Sequence, residues 1–418
     1  MTKTRIIAGI ELGSTKIATL VAQIGEEAIT GEASINIVGA SQSESKGIKK
    51  GQIVDIEETV DATVASVEAA ERMAGYSVEK AFVAVGGAHV RSQNSHGVVA
   101  VSSPEGEITE GDIDRVVEAA SAISLPASRE VVHVLPREFV VDGESGVKDA
   151  VGMSGVRLEV DTHIVTAASA ALKNVRKVVS EVGVEIEDLV FAGFASGEAV
   201  LTPTEKELGC VLIDIGGGVT SIASYVDGAL AYSGVIPVGA KNVTNDLAIG
   251  LRVSLETAEK IKIVLSGKKK SDESDEIDLE SLGVTEIRKI SKKTLLEGII
   301  RPRLNEIFTM VKIELEKEGL MGKVPSGAII TGGGAETVGI VESAKRMLTL
   351  PVRIGTPQGV AGLIDDIMNP SFSTVIGLLK YAQRLTPREN LTSFGKKLKL
   401  PTKGIFGKIV SSIKDLLP

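Results

Sequence analysis

Ile10-Glu11-Leu12-Gly13-Ser14-Thr15-Lys16 and Ile213-Asp214-Ile215-Gly216-Gly217-Gly218-Val219-Thr220 stand about two hundred residues apart, each after an apolar run and each led by a carboxylate. The runs read as buried strands, and the glycines after them let backbone N–H groups turn toward an anion with no Cβ in the way. Hydroxyls at Ser14, Thr15, Thr220 and Ser221 add donors. The leading acids, Glu11 and Asp214, supply charge where a hydrated Mg²⁺ bridging phosphates would need it, because magnesium keeps most of its waters. Either loop alone fits any tight turn after a strand; the pair fits a two-sided clamp for a metal-bound nucleoside triphosphate.

Working outward, a third glycine turn, Gly332-Gly333-Gly334-Ala335, follows the apolar run 328–331 and precedes a helix expected over 338–348. The partial positive charge of a helix N-terminus suits phosphate or a sugar edge there. Between the second and third turns, residues 241–326 read as mostly helical, broken by a polar loop over 267–278. Glu259 and Lys262 sit three apart on one helical face, a spacing shared by a ribose-binding pair and by a solvent ion pair. Around the first turn, 6–24 and 34–40 read as strands, 55–74 as a helix and 82–85 as a strand stopped by Gly86-Gly87. The pattern then changes: Val98 to Val101, a helix over 109–124, and short strands at 131–134 and 139–141 suggest an inserted subdomain, with 164–167 returning to the first lobe. A helix over 169–182 and a strand over 188–192 follow. The second lobe repeats the opening order of strand, turn and strand, with Asp227-Gly228 at a hairpin, and 371–382 reads as the last helix of the body.

With 418 residues, 43% of them hydrophobic, the chain supports more than one core. Its single cysteine, Cys210, lies in an apolar run and excludes a disulfide framework. No apolar stretch approaches the ~20 residues of a spanning helix, so a cytoplasmic protein is expected. The net charge of −9 is uneven: nine basic residues against two acidic ones leave 380–418 at +7 and the rest of the chain at −16. An acidic body without tryptophan argues against nucleic-acid binding, and the basic tail favours a local anionic partner. Within 403–418, Ile405, Phe406, Ile409, Val410, Ile413, Leu416 and Leu417 form an apolar stripe flanked by Lys403, Lys408 and Lys414. Such a helix suits an anionic membrane interface, the other reading being a helix docked on the chain's own core.

Three glycine turns in this order, together with the repeated lobe, resemble the actin and heat-shock-chaperone ATPase superfamily. Further stretches narrow this: Ala8 to Lys16, Lys46-Gly47, 151–157, 208–220, Val235-Ile236-Pro237-Val238-Gly239 and Val352-Arg353-Ile354-Gly355-Thr356-Pro357. Over essentially its whole length the chain resembles the FtsA family of bacterial cell-division proteins. The resemblance implies an α/β, actin-like two-lobed ATPase fold with duplicated ribonuclease-H-like subdomains. The implied division is a first-lobe core at 1–85 and 163–202, an FtsA-type insert at 86–162, and a second-lobe core at 203–245 and 328–383. A helical subdomain occupies 246–327, a linker 384–402 and a membrane-targeting helix 403–418.

It also implies ATP and Mg²⁺ as cofactors. Gly13 to Lys16 and Gly216, Gly217, Gly218 and Thr220 would hold phosphates, and Glu11 and Asp214 would flank the magnesium waters. Gly332 to Ala335 would cover the nucleoside, and Glu259 and Lys262 would reach the ribose. Most of the superfamily has Asp where this chain has Glu11, although some FtsA-like sequences share the longer acid. No residue stands out as the activator of water; Glu11, Asp214 and Glu198 are the candidates, and slow or weak hydrolysis is as plausible as brisk turnover. The implied function is a self-associating adaptor at the division site that ties FtsZ filaments to the cytoplasmic face of the membrane and helps recruit other division proteins. The FtsZ C-terminal peptide would dock at Arg303 and Glu306, whose spacing equally fits exposed helix charges. The alternative is a type IV pilus assembly ATPase of the same fold.

Overall fold

A computed structural model of the chain describes residues 5–26, 33–267, 275–278, 289–363 and 367–385. The linker read from residue 386 onward and the 403–418 helix, with Ile405, Phe406, Ile409, Val410, Ile413, Leu416 and Leu417, lie outside the described residues.

The first lobe opens with β1 (Arg5–Leu12), β2 (Lys16–Glu26), β3 (Ala33–Glu44), the small hairpin β4 (Ile48–Lys49) and β5 (Gln52–Ile53), α1 (Ile56–Ala74) and β6 (Lys80–Val85). Asp55 caps α1 by accepting from the Glu58 N–H, and Gly75 ends it in the left-handed conformation, so the helix expected at 55–74 is bounded by its own sequence signals. The insert follows: β7 (Arg91–Ala100), α2 (Glu110–Ser121), β8 (Arg129–Val141), β9 (Glu144–Val147) and β10 (Arg157–Ala168). Thr109 and Asp112 form a reciprocal capping box at the start of α2. The chain returns through α3 (Ser169–Glu181), β11 (Glu185–Phe191), α4 (Ala192–Val200) and α5 (Pro203–Leu208).

The second lobe holds β12 (Cys210–Ile215), β13 (Thr220–Val226), β14 (Ala229–Ile236), α6 (Ala240–Leu251), α7 (Leu255–Ser266), β15 (Glu276–Asp278), β16 (Lys289–Ser291), α8 (Lys292–Leu295) and α9 (Arg301–Lys317). It closes with β17 (Ala328–Thr331), α10 (Ile340–Leu348), β18 (Val352–Ile354), β19 (Ala361–Gly362) and α11 (Ser373–Leu385).

The two lobes share one sheet plan. In the first, the order is β11-β6-β1-β2-β3, extended by β19; in the second it is β14-β13-β12-β17-β18. In each, the strand before the glycine turn pairs antiparallel with the strand after it and parallel with a later strand. Matching order and matching strand sense are what a duplicated unit must show.

Strand β12 explains how the lobes join. Its alternate residues serve different cores: Cys210 and Leu212 belong to the cluster built on the first sheet, while Val211, Ile213 and Ile215 belong to the second-lobe core. Helices α4 and α11 cross between the sheets, so close that a Cβ on Gly377 would lie 1.8 Å from the Ala195 carbonyl oxygen. Cys210 is fully buried, and burial pushes its thiol up to about 12, which makes it inert.

Several local expectations need correcting. The strands read separately at 131–134 and 139–141 are one strand, β8, in which Pro136 pairs with Thr162 beside a register shift that leaves Arg137 as the extra residue before Glu138, the partner of Asp161. The segment 164–167 is the end of β10, still paired with β8 and, up to Thr166, with β7, while Val165 and Ala167 pack into the first-lobe core as expected. The helix expected from 338 begins at Ile340, after a tight turn over 333–336. The helical stretch 241–326 includes the strand pair β15 and β16 and one π-helical turn, Leu296–Ile300.

Candidate functional site

The two opening turns are built alike. Gly13 N–H donates to the Lys16 carbonyl at 3.0 Å and Gly216 N–H to the Val219 carbonyl at 2.9 Å. Each bond closes its own loop and leaves the N–H groups of Ser14 and Thr15, and of Gly217 and Gly218, outside any backbone bond. The loops face each other directly: a Cβ on Gly217 would lie 2.2 Å from Thr15 Cγ2, and one on Gly218 2.6 Å from Ser14 Oγ. Only glycine permits this approach. Ser14 Oγ in turn accepts from the Gly51 N–H at 2.9 Å.

Between the loops and the third turn lies a cleft with about 800 Å³ of open space, lined by Glu11, the 13–16 turn, Asp214, Gly216 to Gly218, Gly332 and Gly333. Gly332 has φ +81°, and a Cβ there would sit 2.2 Å from Asp214 Oδ1. The structure thus brings all three glycine turns and both leading acids to one place. Ser371 and Thr374 also line it, and Ser196 reaches Asp214 from behind. Sequence reading missed these three; they lie among small residues outside the glycine turns, and no local spacing singles them out.

Charge in the cleft is unusual. Its titratable lining groups are Glu11, Asp214 and Lys16. Burial pushes Glu11 up to about 7, with Lys16 opposing and Asp214 adding to the rise. Asp214 is also raised by burial, against its bonds from Ser196 and Thr374. Burial lowers Lys16, whose ammonium donates to the Ser371 carbonyl at 2.5 Å and lies 3.9 Å from the centre of the Phe372 ring. Two buried carboxylates therefore share one ammonium, and Glu11 Oε2 is buried with no hydrogen-bond partner. A cation held through water would meet that unpaired oxygen, so the donor set fits Mg²⁺.

Other candidates lie elsewhere. Thr220 spends its hydroxyl on the Val238 carbonyl at 2.8 Å. Gly334 packs on Ile215 and Ala335 belongs to the second-lobe core. Glu259 and Lys262 pair with each other at 2.8 Å and both bond Thr244 on α6; neither lines the cleft. Glu198 is buried away from the cleft lining and ion-paired to Lys206 at 2.6 Å and Arg384 at 2.5 Å, cations that hold its carboxyl below its ordinary value despite burial. A carboxylate so paired is a poor base. Arg303 forks onto Asp246 of α6 at 2.6 and 2.9 Å and also meets Glu306, so it braces α9 against α6.

A family profile described as "SHS2 domain inserted in FTSA" matches residues 87–166, and one described as "Cell division protein FtsA" matches residues 211–377. The FtsA of Pseudomonas aeruginosa is 40% identical over 90% of this chain and 89% of its own length. That of Borreliella burgdorferi is 37% identical over 95% and 96%, and that of Bacillus subtilis 36% identical over 99% and 90%. Among solved structures, the PilM–PilN type IV pilus biogenesis complex superposes with a TM-score of 0.62 at 15% identity, covering 89% of this chain and 97% of that one. MreB5 of Spiroplasma citri bound to ADP gives 0.52 at 16% identity, covering 90% and 95%. These distant structures share the actin-like fold, whereas the FtsA relatives match along nearly the whole sequence and the insert matches the profile of the domain inserted in FtsA: the chain belongs to the FtsA family of cell-division proteins.

Proposed function

We propose that the chain binds Mg²⁺–ATP in the cleft between its lobes, self-associates into filaments, and ties FtsZ filaments to the cytoplasmic face of the membrane at the division site. The observation that carries the reading is the meeting of three glycine turns with two buried carboxylates, one of them bearing an unpaired oxygen. The N–H groups of residues 14–15 and 217–218 bind phosphate oxygens, Lys16 supplies positive charge beside them, and Gly332 and Gly333 let a flat nucleoside approach the backbone. Glu11 and Asp214 hold Mg²⁺ through its waters, and the ion supplies neutralisation of phosphate charge.

Hydrolysis is slow in this reading, since among the described residues the lining offers no titratable group beyond Glu11, Asp214 and Lys16, and Glu198 is engaged in ion pairs. Nucleotide occupancy then serves assembly rather than turnover. The FtsZ C-terminal peptide docks on the helical subdomain near Arg303 and Glu306, and the insert engages other division proteins. The 403–418 stripe lies in an anionic interface. A pilus assembly ATPase is disfavoured, because the likeness to the pilus complex is 15% identity against 40% for an FtsA.

Pelleting on anionic liposomes with ATP, with and without the FtsZ C-terminal peptide and followed by electron microscopy, tests the whole reading. Filaments on lipid that capture the peptide support it; soluble monomer with fast phosphate release favours an enzyme. Ile409→Glu places a charge in the stripe and should release the protein from the liposomes, and unchanged co-sedimentation would remove the tail from the account.

A further inference from the structure

The Asp214 carboxylate is gripped by two hydroxyls, Ser196 from behind the cleft and Thr374 from its lining. Its Oδ2 accepts from the Ser196 hydroxyl and, at 3.1 Å, from the Thr374 hydroxyl, and these two hydroxyl oxygens lie 3.0 Å apart. All three side chains are buried. Each hydroxyl has one proton to give, so Ser196 commits its proton to the carboxylate while Thr374 shares its own between Asp214 and Ser196. Both donors fall on one carboxylate oxygen. The other, Oδ1, is the atom that Gly332 packs against at the cleft wall.

The two hydroxyls come from different helices. Ser196 is on α4, which packs on β12 and β13 of the second sheet and on β6 and β11 of the first, and Thr374 is on α11, which packs on β1, β2, β3 and β6 of the first. Farther along the same two helices, Glu198 of α4 holds Arg384 in the last turn of α11 at 2.5 Å. The crossing is therefore pinned at the Asp214 carboxylate and again at the Glu198–Arg384 pair, with the close Gly377–Ala195 approach between. Tilting α11 against α4 cannot leave the grip on Asp214 unchanged.

We propose that Ser196 and Thr374 are positioning residues that fix Asp214 with Oδ1 toward the cleft, and that this pair makes the cation at Asp214 and the α4–α11 crossing sense each other. The inference rests on the Mg²⁺–nucleotide reading of the cleft. A carboxylate free to rotate must be ordered when the hydrated ion arrives; here two buried hydroxyls have already ordered it, the role that partners behind metal ligands play.

The test is a Mg²⁺ titration of fluorescent ATP-analogue binding to the full chain, beside binding in EDTA, for the parent protein, Ser196→Ala, Thr374→Val and the hydroxyl-retaining Thr374→Ser. The half-saturating Mg²⁺ should rise about tenfold in Ser196→Ala and Thr374→Val. Affinity in EDTA should not change in Ser196→Ala, whose side chain lies behind the cleft lining, and Thr374→Ser should behave as the parent. Equal Mg²⁺ dependence in all four overturns the proposal and leaves the cleft reading standing. Loss of affinity in EDTA in Ser196→Ala also overturns it, since the hydroxyl would then only hold the fold. No nucleotide binding by the parent protein removes the cleft reading and the proposal together. Hydrogen exchange reads the coupling: amides in the last turn of α11 should slow when Mg²⁺ is added to the nucleotide-bound parent and not in Thr374→Val. An unchanged rate in the parent overturns that half.

Discussion

At the scale of single residues, the third turn separates three glycines that look alike in sequence. Gly332 adopts φ +81° and ψ 167°, a region that only glycine occupies comfortably, and a Cβ would sit 2.2 Å from Asp214 Oδ1. Gly333 has nothing nearer to a Cβ than Ser371 Cβ at 3.6 Å, an ordinary contact. Gly334 would drive a Cβ to 2.4 Å from Ile215 Cγ2. Gly332→Ala should therefore cost about 2–4 kcal/mol of stability through backbone strain plus the clash, and displace the carboxylate proposed to hold magnesium. Gly333→Ala should stay within about 0.5 kcal/mol of the parent. Urea unfolding of the two variants at neutral pH checks the contrast; equal losses would mean that the turn responds to any added methyl rather than to strain at Gly332. The sequence makes the triplet visible as a close-approach site. It does not say which glycine is indispensable, because φ and the neighbouring carboxylate belong to the folded chain.

Among elements, α4 and α11 cross at very short range between the two sheets. A methyl on Gly377 meets the Ala195 carbonyl at 1.8 Å, a backbone atom that cannot rotate aside, so Gly377→Ala must push the helices apart. A loss of about 3 kcal/mol or more is expected, at or beyond the upper end of ordinary overpacking, and the urea midpoint should fall with it. A midpoint within error of the parent would show that the crossing slides freely. Elements like α1 and α2 are legible because they carry their own signals, a start at Asp55 and a stop at Gly75 for α1 and the Thr109–Asp112 capping box at the start of α2. The glycine turns were legible for the same local reason. What escaped was whatever depends on a partner far along the chain: the continuity of β8 through Pro136, secured by a shift in its pairing with β10, and the convergence of Ser196 and Thr374, 178 residues apart, on one carboxylate. Glu198 was singled out as a candidate base by position, whereas its neighbours Lys206 and Arg384 make it a buried structural anion.

Across the whole molecule, the insert is not an appendage of the first lobe alone, because β7 and β10 reach the second lobe through β14. Ser92 Oγ donates to the Ser233 carbonyl at 2.7 Å, Asn94 Nδ2 to the Ala231 carbonyl at 3.3 Å, and the ring of His163 bridges Asn94 Oδ1 at 2.7 Å and Ser233 Oγ at 3.0 Å. Burial pushes His163 down to about 3, with the Arg137 charge and His133 adding to the fall, so the bridge is made by a neutral imidazole. The sign of the linkage follows. The unfolded chain takes up the proton near the ordinary histidine value of 6.5, while the folded chain resists until about 3, so below pH 6.5 the unfolded state binds more protons and stability falls. The contribution is fully present above 6.5 and declines by about 1.4 kcal/mol per pH unit as the solution is acidified toward 3. His133, also pushed down to about 3 by burial, acts in the same direction from within the first-lobe core, where its Nε2 accepts from the Phe191 N–H. His163→Gln keeps a donor and an acceptor for Asn94 and Ser233 but does not titrate. Its unfolding free energy, measured in urea from pH 7.5 to 4, should match the parent within about 1 kcal/mol at the upper end and fall less steeply below 6.5, the slopes differing by about one proton. Equal slopes would mean that His163 charges in the folded protein, and then the contact between insert and second lobe would have to open with acid rather than resist it.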